Sequence, residues 1–63
     1  MSSSPDINEA WRTGYIKGWN TAHQTIPSIP PRPASVPPGV TDTWKYFHDE
    51  GYRLGRYNAS LTK

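Results

Sequence analysis

The side chains able to do chemistry are few. The 63-residue chain has two histidines, five carboxylates and no cysteine. Without cysteine there is neither a disulfide framework nor a cysteine zinc site. His23 and His48 fall in different segments, and no histidine pair has zinc-ligand spacing. His48 precedes Asp49 and Glu50 directly, but consecutive residues on a helix do not face one another. His48 therefore reads as a packed, hydrogen-bonded residue rather than a base, and Asp49 and Glu50 as solvated charges. The glycines lie inside helical patterns, not after a strand, so none forms a phosphate-cradling loop. A chain this short also lacks the supporting layer that holds a catalytic constellation in place. The expectation is a protein that is not an enzyme, with no catalytic residue, metal or cofactor. Asn58-Ala59-Ser60 fits the glycosylation acceptor pattern and reads as a chance match.

What these side chains must be mounted on is a chain in three parts. Residues 5–23 read as a helix: Ser4 suits the N-cap, Pro5 the first helical position, and Asp6 and Glu9 the negative charge wanted in the first turn. Asp6 and Glu9 also make an alternative capping pair if the start slips by two residues. Residues 25–40 hold six of the seven prolines. They can be neither helix nor central strand and favour polyproline II. Residues 41–60 read as a second helix, capped by Thr41 or Asp42. The whole of 1–63 is expected to be a single small domain.

The two helical parts share a pattern. Residues 14–22 and 51–59 both read G-Y-x-x-G-x-x-x-A, at an offset of 37. A glycine costs a helix about 1 kcal/mol relative to alanine, so two glycines a turn apart in both helices need a reason. At about 100° per residue, Ile7, Trp11, Gly14, Tyr15, Gly18 and Ala22 share one face. Trp44, His48, Gly51, Tyr52, Gly55 and Ala59 share another, flanked by Phe47 and Leu54. A small-x-x-x-small row lets two backbones approach closely. The predicted fold is therefore all-α, two helices forming a hairpin around an aromatic–glycine core. Its packing residues are Trp11, Gly14, Tyr15, Gly18, Ala22, Trp44, Gly51, Tyr52, Gly55 and Ala59.

The linker is long for that purpose. Sixteen extended residues reach nearly 50 Å at about 3.1 Å each, whereas a 19-residue helix is only about 28 Å long. A structureless loop of such length is uncommon in a compact domain, so a packed polyproline segment is expected. Pro27 to Arg32 also fits P-x-x-P-x-R, a ligand pattern for aromatic grooves. The preferred reading is a stiff connector whose aromatic partners are internal.

With chemistry set aside, binding remains. Tyr46, Arg53, Arg56 and Tyr57 on the second helix, with Arg12 and Lys17 on the first, lie off the packing stripes. Exposed Tyr beside Arg is typical of interface anchors and of surfaces that bind single-stranded RNA. The net charge is only +2, which ranks a larger protein partner above nucleic acid. No run approaches the roughly 18 apolar residues of a membrane span, so no membrane is expected as a partner. The N-terminal residues carry no basic flank or apolar stretch, so a cytoplasmic location is expected.

Gly14, Tyr15, Gly18, Trp44 and Gly51, arranged as a G-Y-x-x-G element followed across a proline-containing connector by a Trp- and Gly-bearing segment, resemble ribosome modulation factor and related small proteins. The resemblance implies two short helices joined by a linker and docking on bacterial ribosomes. In that family the second segment reads Trp-x-x-Gly-Trp, whereas here Trp44 stands seven residues before Gly51. The functional expectation is a small non-enzymatic binding protein that docks on a larger cytoplasmic protein and modulates or inhibits it. Such proteins are commonly encoded by bacteriophages and act in the host cytoplasm. The alternatives are an RNA- or ribosome-binding modulator and a self-assembling subunit, a homo-oligomer.

Overall fold

The computed structural model describes residues 6–62. Two α-helices, α1 (Ile7–Trp19) and α2 (Thr43–Leu61), carry the regular structure, and there is no strand among the described residues. The fold is all-α. Each helix is started by an aspartate. The Asp6 carboxylate accepts from the Glu9 amide at 3.1 Å, and the Asp42 carboxylate from the Lys45 amide at 3.0 Å. Each satisfies an amide that has no partner within the helix. The expected Ser4 cap and Pro5 start lie outside the described residues; within them Asp6 is the cap. Asp6→Ala and Asp42→Ala should each lower stability by about 1 kcal/mol, read as a shift in the urea midpoint.

The first helix is shorter than the predicted 5–23. Past Trp19 the Thr21 amide bonds to the Gly18 carbonyl at 3.2 Å, and the Thr21 hydroxyl takes the same oxygen at 2.7 Å. A threonine hydroxyl competing for a backbone carbonyl draws the chain out of the α-helical ladder. The Ala22 amide is left with the Trp19 carbonyl three residues back, at 3.1 Å. Ala22 consequently turns outward and is exposed, contrary to its expected place in the packing face.

The helices run parallel, not as an antiparallel hairpin. A Cβ built on Gly14 would collide with the carbonyl of His48, and one on Gly18 with that of Tyr52. A Cβ on Gly51 would meet the Trp11 carbonyl, and one on Gly55 the Tyr15 carbonyl. Residue numbers rise together along both helices, which fixes the direction. Adding 37 to Gly14 and Trp11 gives Gly51 and His48, so each contact has a counterpart with the helices exchanged. The sequence repeat is thus a local two-fold relation along the helix pair.

Parallel helices need a chain that returns from the end of α1 to the start of α2. That return, over about 20 Å for a 13-residue helix, accounts for the length of the linker. The Trp19 indole donates to Thr25 Oγ1 at 3.1 Å, the Trp11 indole to the Pro30 carbonyl at 2.9 Å, and Arg32 Nε to Asn8 Oδ1 at 2.7 Å. Strap residue numbers rise as α1 numbers fall, so the strap runs back along α1. It then turns through Gly39, whose φ of 92° suits a residue without a Cβ.

The core sits between helices and strap. Phe47 is 2% exposed, Trp11 5%, Tyr15 3%, and Ala10 is fully enclosed. Ile29 and Val36 of the strap pack against Ala10, Trp11 and Phe47, with Leu54 and Ile7. The Arg32 guanidinium lies 4.9 Å from the Phe47 ring centre. Phe47, expected only as a flank, is therefore central, because the strap covers its side of α2. Trp44 is 40% exposed and stacks on His48 at 5.1 Å instead of entering the core. It stands one turn before Phe47 on the first turn of α2, where little of α1 remains to cover it. Tyr52 is only half-buried.

Candidate docking surface

The outer face of α2 carries the densest group of the expected binding residues. Arg53, Arg56 and Tyr57, at positions three and four apart, meet on one side of the helix. With Tyr52 and Ser60 they line a shallow open depression of about 380 Å³. Tyr57 is 61% exposed. The Ser60 hydroxyl bonds back to the Tyr57 carbonyl at 2.7 Å, within the last turns of the helix. Arg53 is shared with Glu50 across a long 3.4 Å contact. Arg56 has no ion-pair partner among the described residues and hangs 6.0 Å from the Tyr52 ring centre. Both guanidinium groups are exposed on a regular helix, ready for a carboxylate, a phosphate or a ring.

The other three expected contacts are not part of this group. Tyr46 is half-buried, its ring edge-on to Phe47 at 5.3 Å and packed against the core. Lys17 lies across the molecule in a depression with Thr21, His48, Asp49 and Tyr52. Arg12 is exposed on α1, about 140° around the helix from Lys17 at the usual angular step. Tyr52, expected only in the packing face, borders both depressions. The offset of 37 contained that signal. It pairs Tyr52 with Tyr15, which is 3% exposed and whose hydroxyl accepts from Asn58 Nδ2 at 2.8 Å, whereas Tyr52 stays half-buried.

Lys45 Nζ stands 3.0 Å from Asp49 Oδ2 and holds that carboxyl below the usual carboxylate range, opposed by desolvation and helped to a lesser degree by His48. His48 Nδ1 is 3.6 Å from Asp49 Oδ1, too far for a bond that orients a base. No group of three His, Asp or Glu side chains among the described residues is placed to hold a metal ion. No described helix is long and apolar enough to cross a membrane. His23 Nε2 lies 3.1 Å from the Ala59 carbonyl and 3.0 Å from that of Thr62, tying the end of α1 to the end of α2. The arrangement can present a rigid, cationic and aromatic surface. Compared with known protein families, characterised proteins and solved structures, the chain matches none.

Proposed function

We propose that the protein is a small non-enzymatic binding protein that docks on a larger cytoplasmic protein through the Arg53, Arg56 and Tyr57 face of α2. Docking modulates or inhibits the partner by covering part of its surface. The observation that carries this reading is Tyr57, 61% exposed beside two exposed arginines on a regular helix. Tyr and Arg dominate interface hot spots, and a face held on a helix loses little freedom on binding. A polyproline-like strap and an aromatic–glycine core are the parts of the reading that keep this face rigid. A bacteriophage protein acting in its host's cytoplasm fits the same small, cofactor-free design.

A ribosome- or RNA-binding modulator is the second reading. The same arginines and tyrosine suit phosphates and stacked bases, and the resemblance through Gly14, Tyr15, Gly18, Trp44 and Gly51 points to ribosomes. Capture from nuclease-treated bacterial lysate, repeated with Tyr57→Ala, separates the two. Protein docking predicts a partner retained after nuclease and weakened roughly 30-fold by Tyr57→Ala, the effect of losing a hot spot of about 2 kcal/mol. RNA binding predicts that the captured material disappears with nuclease and that affinity falls steeply with salt. Retention unaffected by Tyr57→Ala, Arg53→Ala and Arg56→Ala together would remove this face from the account. Self-assembly would instead make melting depend on concentration.

A further inference from the structure

Parallel helices start at the same end, and that separates charge along the pair. Asp6, Glu9, Asp42, Asp49 and Glu50, the five carboxylates of the chain, all lie at the cap or in the first half of their helix. Beyond them α1 carries Arg12 and Lys17, and α2 carries Arg53 and Arg56, with no carboxylate on either helix. The second half of α2 is therefore cationic. Its depression of about 380 Å³ is lined by Arg53 and Arg56 and by no acidic side chain. Arg56 forms no ion pair among the described residues, and Arg53 has only the 3.4 Å contact to Glu50. A long ion pair at the surface holds its members weakly, so Arg53 can exchange it for a better partner.

A second depression, about 450 Å³ in volume, adjoins the first. Arg53 and Tyr57 line both, while Trp11, Pro33, Leu54 and Glu50 line only the second. Tyr57 thus stands between a cationic hollow and a mainly apolar one. Glu50 belongs to the apolar side, where it repels a carboxylate and leaves the Arg56 side as the place for one.

On the premise that this face docks, we propose that its protein partner presents an acidic segment with an apolar side chain beside its carboxylates. The apolar side chain takes the hollow at Trp11 and Leu54, and the carboxylates take Arg56 and Arg53. A guanidinium forks onto a carboxylate through two parallel hydrogen bonds, and Tyr57 adds the ring that interface anchors favour. The size of the patch argues against nucleic acid. The two arginines stand three residues apart, about 4.5 Å along the axis. A phosphate backbone continues its charge beyond that distance, and toward the start of α2 it meets Glu50 and Asp49. A short carboxylate cluster stays on the arginines. A second copy of the chain offers little of that kind, since Asp6 and Asp42 cap their helices and Asp49 is matched by Lys45.

The test is a titration of the full chain, followed by amide NMR shifts, with two short capped peptides. One carries a leucine beside two glutamates, and the other has glutamines in place of the glutamates. The glutamate peptide should give saturable shifts at Arg53, Leu54, Arg56 and Tyr57. Glutamine in the peptide, or Arg56→Glu at its exposed site in the protein, should each weaken binding roughly fivefold, the upper range for one surface charge pair. Alanine in place of the leucine should weaken it too and remove the shift at Leu54. Several results would overturn the proposal: no saturable shifts, equal affinity for the two peptides, or indifference to Arg56→Glu. So would shifts that arise from protein concentration alone, or a single-stranded RNA oligonucleotide that binds this face more tightly than the glutamate peptide. Lysate capture separates this outcome from loss of the face itself. Capture weakened by Tyr57→Ala but not by Arg56→Glu keeps the face and overturns the acidic partner. Capture indifferent to Tyr57→Ala, Arg53→Ala and Arg56→Ala together removes both.

Discussion

Gly18→Leu is expected to abolish the folded state, and Gly18→Ala to lower the melting temperature by more than about 10 °C. Two effects oppose each other in the alanine variant. Helix propensity favours alanine by about 1 kcal/mol. Against it, the new Cβ would collide with the Tyr52 carbonyl and come within 3.0 Å of the Arg56 amide nitrogen. These are backbone atoms and cannot rotate aside, so the helices must separate. Overpacking of this kind costs about 1–3 kcal/mol when side chains can adjust, and more when they cannot. A chain of this size has about 3–9 kcal/mol in total, and each kcal/mol moves its melting point by about 4–8 °C. Gly14, Gly51 and Gly55 should behave alike, since each faces a backbone carbonyl. Gly39 is the contrast. Nothing lies within 4 Å of its Cβ position, so Gly39→Ala meets only the strain of a positive φ, about 1 kcal/mol. Circular dichroism melts of the five variants check the ranking. A Gly18→Ala chain that melts above the unaltered protein would show that propensity wins and that the backbones do not touch there.

Trp11→Ala is expected to cost about 3–5 kcal/mol, the usual range for removing a buried aromatic ring. That is comparable with the whole stability of the chain. Trp11 does two jobs: its ring fills the core at 5% exposure, and its indole holds the Pro30 carbonyl. Trp11→Phe separates them. It keeps an apolar ring and removes the donor, so about 1 kcal/mol should be lost. The strap should then loosen while the helices stay paired. Urea unfolding distinguishes the cases, because a strap already released exposes less new surface and lowers the slope of the transition. If Trp11→Phe and Trp11→Ala unfold at the same urea concentration, the ring contributes nothing beyond its hydrogen bond, and this description of the core fails.

The packing stripes were legible because glycine at helical spacing has no local use. Gly14, Gly18, Gly51 and Gly55 are all buried at the contact, as the periodicity requires. The direction of the pair was not legible from periodicity, since a stripe looks the same read up or down. The linker held the missing information: its length exceeds what an antiparallel turn needs and fits a return path. The end of α1 was hidden for a different reason. Thr21 continues the helical pattern by type, yet its hydroxyl takes the Gly18 carbonyl and the chain turns away. Ala22 was misplaced with it. Trp44 and Tyr52 fell on the correct face by angle, but their burial depends on what else covers that face. The strap covers Phe47 and Trp11 and leaves Tyr52 open. Of the expected binding residues, Arg53, Arg56 and Tyr57 share a surface because three- and four-residue spacing guarantees it. Arg12 and Lys17 do not join them, being separated around α1.

The fold rests on two helices that run side by side in the same direction, and a distance measurement tests this directly. The chain has no cysteine, so spin labels can be placed in pairs at the exposed positions Glu9, Lys45 and Ser60. Lys45 is near the start of α2 and Ser60 near its end, about 22 Å apart along the axis. Parallel helices place the Glu9 label much closer to Lys45 than to Ser60. A Glu9 to Ser60 distance shorter than Glu9 to Lys45 would make the pair antiparallel, and the two-fold relation and the return path of the strap would fall with it.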